Sequence, residues 1–328
     1  MQQSTTEPRP VTRGEIPPKA FPDTVHCTFL DDSPDGPLTR LREIFQGYLP
    51  ALEVDAVSKE RGLHGFKYSG DIKSRDELLA KVLWGGASQR GKASIQVKGF
   101  ACGLLSGSQI AAILYCLPGA TLKRVDLAVD FLGGEVAVLD APIAYKAGEF
   151  DPDQGPRPMA SCRGDWDPHL GMGRTYYVGS GDTKLCRVYE KGKQLGQRES
   201  EHVRVEVQFG AKDRVLPFRM LTDCDRFFSG AYPFCSRVLP GGSERIATQR
   251  AVLNATIDTM LANIRHQFGA SIGHCLRVMT QVYDGDISRA EHELLKIITR
   301  AGTPKRLLPS AITSGVHNYV YVPTEAGF

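Results

Sequence analysis

Arg124-Val-Asp-Leu-Ala-Val-Asp-Phe131 alternates charged with apolar residues, and two later stretches are built the same way: Arg187-Val-Tyr-Glu-Lys-Gly192 and Val203-Arg-Val-Glu-Val-Gln-Phe209. Side chains of a strand point to opposite faces in turn. Each stretch, read as β, therefore shows its reactive groups on one face and its Val, Leu and Phe on the other. The three faces together offer carboxylates, arginines and one tyrosine. That set suits metal-assisted attack of a tyrosine on a phosphodiester.

The neighbouring sequence supplies the rest of a sheet. Thr24–Leu30 reads as a strand, and Asp31-Asp-Ser-Pro-Asp-Gly-Pro37 as a turn into an amphipathic helix over 38–49, with Leu41, Ile44, Phe45 and Leu49 on one side. Strands over 64–69 and 93–100 follow, then a short apolar helix over 108–117 stopped by Pro118-Gly119, then the strand over 123–131. The order β-α-β-β-α-β predicts an α+β fold, an antiparallel split-βαβ (ferredoxin-like) sheet with helices on one face and the other face open for a substrate. The Gly-, Pro- and Asp-rich stretch 141–173 predicts a long irregular connection with one short helix. Further strands over 174–179, 184–191 and 202–209 extend the same sheet or form its second half.

Beyond about 212 the pattern turns helical. Val252, Ile257, Met260, Leu261, Ile264 and Phe268 fit one helix face, and Glu291, Leu294, Leu295, Ile297 and Ile298 fit another. The expected organisation is a disordered tail over 1–23, a catalytic domain over 24–220 and a mainly helical region over 221–328.

Composition narrows the class. The 328 residues are 41% hydrophobic and 23% charged, ordinary for a globular chain with a sizeable core. The formal charge of +3 is too small to identify a partner, but from Arg174 to Arg204 the basic residues outnumber the acidic ones. The eight cysteines are scattered without a Cys-x-x-Cys pair, which argues against structural zinc and for thiols that are mostly reduced and buried. The polar, Pro-rich start lacks a signal-peptide core, and no run approaches a membrane span. A cytoplasmic protein is expected.

Strand geometry constrains the acids. Asp126 and Asp130 share a face but lie roughly 13 Å apart at about 3.3 Å per residue, so without a bulge they cannot both bind one metal. Asp126, nearer the strand centre, is the preferred ligand; Asp130 supports it or pairs with a basic residue. If 203–209 neighbours 124–131, Glu206 and Asp126 converge on one ion, and all-oxygen ligation favours Mg²⁺ or Mn²⁺. Tyr189 shares its expected strand face with Arg187 and Lys191, cations that would favour phenolate. Tyr176 and Tyr177 compete but lack that basic flank. Gly86-Ala-Ser-Gln-Arg-Gly-Lys-Ala93 nearly spells a phosphate-binding loop, yet Ala93 replaces the Ser or Thr that would hold Mg²⁺, and a strand follows where a helix is needed.

Arg124-Val-Asp-Leu-Ala-Val-Asp, Tyr176-Tyr-Val-Gly-Ser, Arg187-Val-Tyr-Glu-Lys-Gly and Val203-Arg-Val-Glu, in that order, resemble the phage and plasmid replication initiation factors of rolling-circle replication, particularly those of filamentous phages and prophages. The likeness runs over roughly residues 25 to 235. It implies a sequence-specific, divalent-metal-dependent endonuclease whose tyrosine becomes joined to a 5′-phosphate and frees a 3′-hydroxyl. Carried over, Tyr189 matches the nucleophile, Arg187 and Lys191 its basic neighbours, and Asp126 and Glu206 the acidic metal positions, with Asp130 beside them. Arg124, Arg174, Lys184, Lys193 and Arg204 are the expected DNA contacts. Implied partners are origin DNA, single-stranded or extruded as a hairpin, a host helicase with the replication machinery, and a second copy in a homodimer; no membrane is involved. The His-x-His metal motif of better-known nickases is missing, which fits a carboxylate-based subgroup. A relaxase that transfers an integrative element would use the same reaction, and a non-catalytic DNA-binding regulator is the alternative of a different class.

Overall fold

A computed structural model describes residues 17–299 apart from positions 32, 34, 60, 153–154, 167–172, 213 and 247–256, with backbone alone at 257–263 and 266. The expected Val252 and the tail before residue 17 lie outside the described residues. The chain divides into two compact units, Met1–Arg250 and Ala251–Phe328.

The first unit is organised by a ten-stranded antiparallel sheet. Its strands are β1 (Phe21–Leu30), β2 (Asp55–Lys59), β3 (Tyr68–Ser74), β4 (Glu77–Trp84), β5 (Lys92–Val97), β6 (Thr121–Phe131), β7 (Ala160–Gly164), β8 (Arg174–Ser180), β9 (Lys184–Tyr189) and β10 (Val203–Gly210). They lie side by side as β2-β3-β4-β5-β1-β6-β10-β9-β8-β7. The central four, β4-β5-β1-β6, have the split-βαβ arrangement: α1 (Leu38–Tyr48) lies in the connection from β1 to β4, and α2 (Gly99–Leu104) and α3 (Gly107–Tyr115) in that from β5 to β6. The later strands extend this sheet and do not form a second one.

Alternation decides what each face does. Val25, Cys27 and Phe29 of β1, Val125, Leu127 and Val129 of β6, Val205 and Val207 of β10 and Cys186 and Val188 of β9 are buried in one apolar core. Leu38, Leu41 and Phe45 of α1 and Ile110, Ile113 and Leu114 of α3 belong to the same core. The α3 start is fixed by a capping box in which Ser106 and Gln109 satisfy each other's backbone amides. The intervening positions, among them His26, Arg124, Asp126, Arg187 and Glu206, share the opposite, polar face.

Several boundaries differ from expectation. The first strand starts at Phe21, so Asp23 belongs to the sheet and not to a tail. The expected strand over 64–69 is displaced to β3, because His64 and Gly65 take left-handed backbone angles (φ +55° and +83°) that belong to a turn. β2 and β4 were not expected. The irregular connection holds α4 (Asp140–Lys146) and also β7. After Ala87–Gln89, one turn of 3-10 helix, the phosphate-loop look-alike runs into β5, so no helix opens there.

The first unit also reaches past residue 220. Here α5 (Lys191–Gln194) has already followed β9, and α6 (Cys224–Ser229) and α7 (Pro233–Val238) come after β10. Phe227, Phe228 and Phe234 of α6 and α7 are fully buried in the sheet's core, which ties these helices to the first unit. The second unit contains α8 (Ile257–Val282) and α9 (Ile287–Ile298), which contact each other. Their turn uses Gly285 at φ +88°, and Asp286 caps α9 by accepting from the Arg289 amide at 3.0 Å. Among the described residues no helix is long and apolar enough to cross a membrane.

Candidate active site

Strand pairing brings the three opening stretches into contact. β10 lies between β6 and β9, with Glu206 opposite Ala128 and Arg187, Gln208 opposite Asp126, and Arg204 opposite Asp130 and Tyr189. Asp126 and Glu206 are thus diagonal neighbours on one face, close enough to share a partner.

Both acids are buried, with Asp126 1% and Glu206 6% exposed, so each needs compensation on the spot. Arg124, two residues before Asp126 on the same face, holds it through a two-pronged contact: Nε donates to Oδ1 at 2.7 Å and Nη2 to Oδ2. Arg187 reaches across from β9. Its Nη2 donates to Asp126 Oδ2 at 3.1 Å, Glu206 Oε1 at 2.6 Å and Gln208 Oε1 at 3.1 Å. Its Nε is buried without a hydrogen-bond partner. Gln208 is oriented by donating through Nε2 to the Gly181 carbonyl in the β8–β9 hairpin at 2.6 Å. Burial pushes the Glu206 carboxyl up to about 7; Arg187 opposes the rise and the Asp126 charge adds to it.

Tyr189 is the last residue of β9, and its hydroxyl donates to the other Glu206 oxygen, Oε2, at 3.2 Å. Burial, and then the Glu206 charge, raise the phenol above its ordinary value, so the resting protein keeps it protonated. This corrects the expectation of cations favouring phenolate. Arg187 is committed to the carboxylates, and Lys191 has left the strand: it opens α5, bonds Gln194 at 3.1 Å and lies 5.8 Å from the centroid of the Tyr189 ring. Tyr176 is packed in the core, whereas Tyr177 stands opposite Arg187.

Asp130 belongs to a separate cluster. Arg204 grips it through Nε at 2.7 Å and Nη2 at 2.8 Å, and His202 Nε2 lies 2.8 Å from the same carboxylate. The third Arg204 nitrogen, Nη1, donates to Asp23 at 2.7 Å. Asp23 sits where the β1–β6 register slips between Pro22 and Thr24, a bulge that re-aims one side chain. Asp23 and Gln208 are members of the site that the sequence reading did not single out. His26, opposite Arg124 on the polar face, is another; burial, with Arg124 and Lys98 nearby, lowers it to about 4, so it is neutral at pH 7.

The expected DNA contacts are distributed unevenly. Arg124 and Arg204 stand on the polar face, paired with Asp126 and Asp130. Lys184 has the parity of Cys186 and Val188 and so faces the core side, where its Nζ donates to the Ala231 carbonyl and lies 3.9 Å from the centre of the Tyr232 ring. Burial there lowers its pKa to about 8. Arg174 has the parity of Tyr176 and Val178; with Lys193 it binds Glu190. Burial would raise that carboxyl, but the hydrogen bonds from Arg174 and Lys193 outweigh it and hold Glu190 at about 2. Lys184 and Arg174 are therefore withdrawn as contacts on the Tyr189 face.

Whether the acids suit a divalent ion can be judged from their oxygens. Among the described residues no three His, Cys, Asp or Glu side chains gather as a metal cluster, and Asp130 is set apart by Arg204. However, Asp126, Glu206 and Gln208 point three oxygens at a single cationic nitrogen, Arg187 Nη2. This hard, all-oxygen cup already holds one positive charge, and its chemistry fits Mg²⁺ or Mn²⁺.

A family model described as "Replication initiation factor" matches residues 120–290, just over half of the chain. The matched stretch holds Asp126, Tyr189 and Glu206. No curated protein matches the chain. Among solved structures it is similar to the "Rolling Circle Replication Initiator Protein from Geobacillus stearothermophilus", at 19% identity and a TM-score of 0.49, over 71% of this chain and 99% of that one.

Proposed function

The chain belongs to the replication initiation factor family, and from that premise we propose that it nicks and rejoins origin DNA for rolling-circle replication, with Tyr189 as the attacking group. The observation that carries this reading is the Tyr189 hydroxyl bonded to Glu206 at 3.2 Å, at the edge of the Asp126–Arg187–Gln208 cluster.

In the proposed reaction the Tyr189 oxygen bonds to phosphorus, the bond to the 3′ oxygen breaks, and the departing oxygen takes up a proton from water, so that a 5′-phosphotyrosine and a free 3′-hydroxyl remain. One ester replaces another, so no ATP site is needed. Glu206 divides its two oxygens between two tasks: Oε1 faces the cation cup, and Oε2 fixes the rotation of the Tyr189 hydroxyl and is the acceptor toward which its proton leaves. Arg124 grips Asp126 with two nitrogens and keeps it aimed along the face. Arg204, between Asp130 and Asp23, stands opposite Tyr189 in the ladder and places a positive charge at that end of the strand, where it opposes the rise of the phenol. Asp126, Glu206 and Gln208 would hold Mg²⁺ or Mn²⁺, which when bound withdraws charge from the scissile phosphate. Origin DNA, single-stranded or extruded, is the proposed substrate, and a host helicase the proposed partner downstream.

The test is to incubate the protein with 5′- and 3′-labelled single-stranded origin DNA and Mn²⁺, then denature and resolve the products. A protein–DNA adduct carrying the 3′-side fragment is expected, and Tyr189→Phe should reduce it by about 10³-fold or more. No adduct from the wild type, or an undiminished one from Tyr189→Phe, overturns the assignment.

A further inference from the structure

Arg187 is placed unlike Arg124 and Arg204 on the same polar face. Arg124 and Arg204 each grip a carboxylate with two nitrogens in fork geometry. Arg187 instead directs one nitrogen, Nη2, at three oxygens from three side chains, while its Nε is buried without a partner. A guanidinium is built to bond through several N–H groups at once; here it acts as a point charge and leaves a buried donor unsatisfied. Its side chain is 20% exposed, against 1% for Asp126, so it enters the cup from the solvent side.

Charge counting gives the second constraint. With both acids ionised, Asp126 and Glu206 are balanced by Arg124 and Arg187, and the cluster is then neutral. A divalent ion entering with Arg187 still seated would leave a surplus of two positive charges in a buried place. If Arg187 leaves, its guanidinium is released beside Tyr189 with its full set of donors, a geometry matched to a phosphodiester.

We propose that Arg187 is an internal stand-in for the divalent cation: it fills the Asp126–Glu206–Gln208 cup in the resting protein, is displaced when the ion binds, and then turns to the DNA phosphate. This inference rests on the metal reading above. It makes the ion and the DNA bind cooperatively, because the phosphate gives the displaced guanidinium a partner.

The experiment titrates the full-length protein, without DNA, with Mn²⁺ and follows the free-ion electron paramagnetic resonance signal. Arg187→Gln is expected to bind Mn²⁺ at least tenfold more tightly than the wild type, and a single-stranded oligonucleotide should tighten wild-type binding. Should Arg187→Gln fail to fold, phenylglyoxal labelling of the wild type read by mass spectrometry decides the matter: modification of Arg187 should accelerate several-fold when Mn²⁺ is added. Wild-type binding as tight as that of Arg187→Gln, or Arg187 labelling indifferent to Mn²⁺ that does bind, overturns the stand-in role while leaving the metal reading intact. If neither protein binds Mn²⁺ better than Asp126→Asn/Glu206→Gln does, the metal reading itself falls and takes this inference with it.

Discussion

Asp71 on β3 and Asp126 on β6 are both buried under basic side chains of this sheet, and they are built to different ends. Asp71 is alone among its kind: Lys59 and Lys81 each bond one of its oxygens, Lys81 at 2.9 Å, and the cluster closes. Burial would raise Asp71, but the two lysine hydrogen bonds win and hold its carboxyl low. Asp126 has a second acid beside it, a guanidinium shared three ways, and a tyrosine bonded to that second acid. The first arrangement satisfies its charges locally and has nothing left to offer. The second leaves Glu206 at about 7 and an arginine nitrogen unpartnered, and such unfinished compensation is where a substrate or an ion finds something to bind.

The comparison is open to direct attack. Its strongest consequence is in catalysis: Asp126→Ala and Glu206→Ala should each lower adduct formation by about 10²-fold or more while sparing DNA binding in a filter assay. Asp71→Ala, with four strands between β3 and β10, should keep it within about threefold. Equal losses from all three would erase the distinction. Next comes stability, where the order reverses. Asp71→Asn strands two lysines and should cost about 1–3 kcal/mol in urea unfolding, while Glu206→Gln, which relieves two acids crowded on one guanidinium, should cost less or stabilise.

The smallest effect concerns pH. Asp71 is held below its unfolded value of 3.8, so its contribution is present above that pH and lost as pH falls through the folded value. Glu206 is raised from 4.5 to about 7, so its contribution is complete below 4.5 and lost as pH rises through 7. Thermal melts across pH 3 to 8 should show Asp71→Asn flattening the acid limb and Glu206→Gln flattening the limb between roughly 4.5 and 7. A shared limb for both variants would contradict the two environments.

Much of this was legible in the alternation of 124–131, 187–189 and 203–209, because period-two patterning fixes which side chains share a face whatever the neighbours are. The same rule, applied three residues back along β9, would have turned Lys184 inward, since it shares parity with Cys186 and Val188. β4 escaped notice for a physical reason: Glu-Leu-Leu-Ala-Lys-Val-Leu-Trp is buried along most of its length and has no clean alternation. β2 is a mostly exposed edge strand with little apolar content to announce it. Asp23 was hidden differently. Its place beside Arg204 depends on a bulge and on the pairing of β1 with β6, a hundred residues away in sequence, and local pattern carries no record of such register.

The position of Tyr189 at the end of β9 has a mechanical side. On the proposed reading this residue is joined to a DNA end while the duplex is unwound, so the strand that bears it is under tension. β9 is flanked by β10 and β8, with Arg204 and Thr175 opposite Tyr189 itself. A pull directed along β9 must shear two ladders of hydrogen bonds together, and no bond can be opened singly from an end. A tether on an edge strand would have half that anchorage; here the attachment point is held by a ladder on each side.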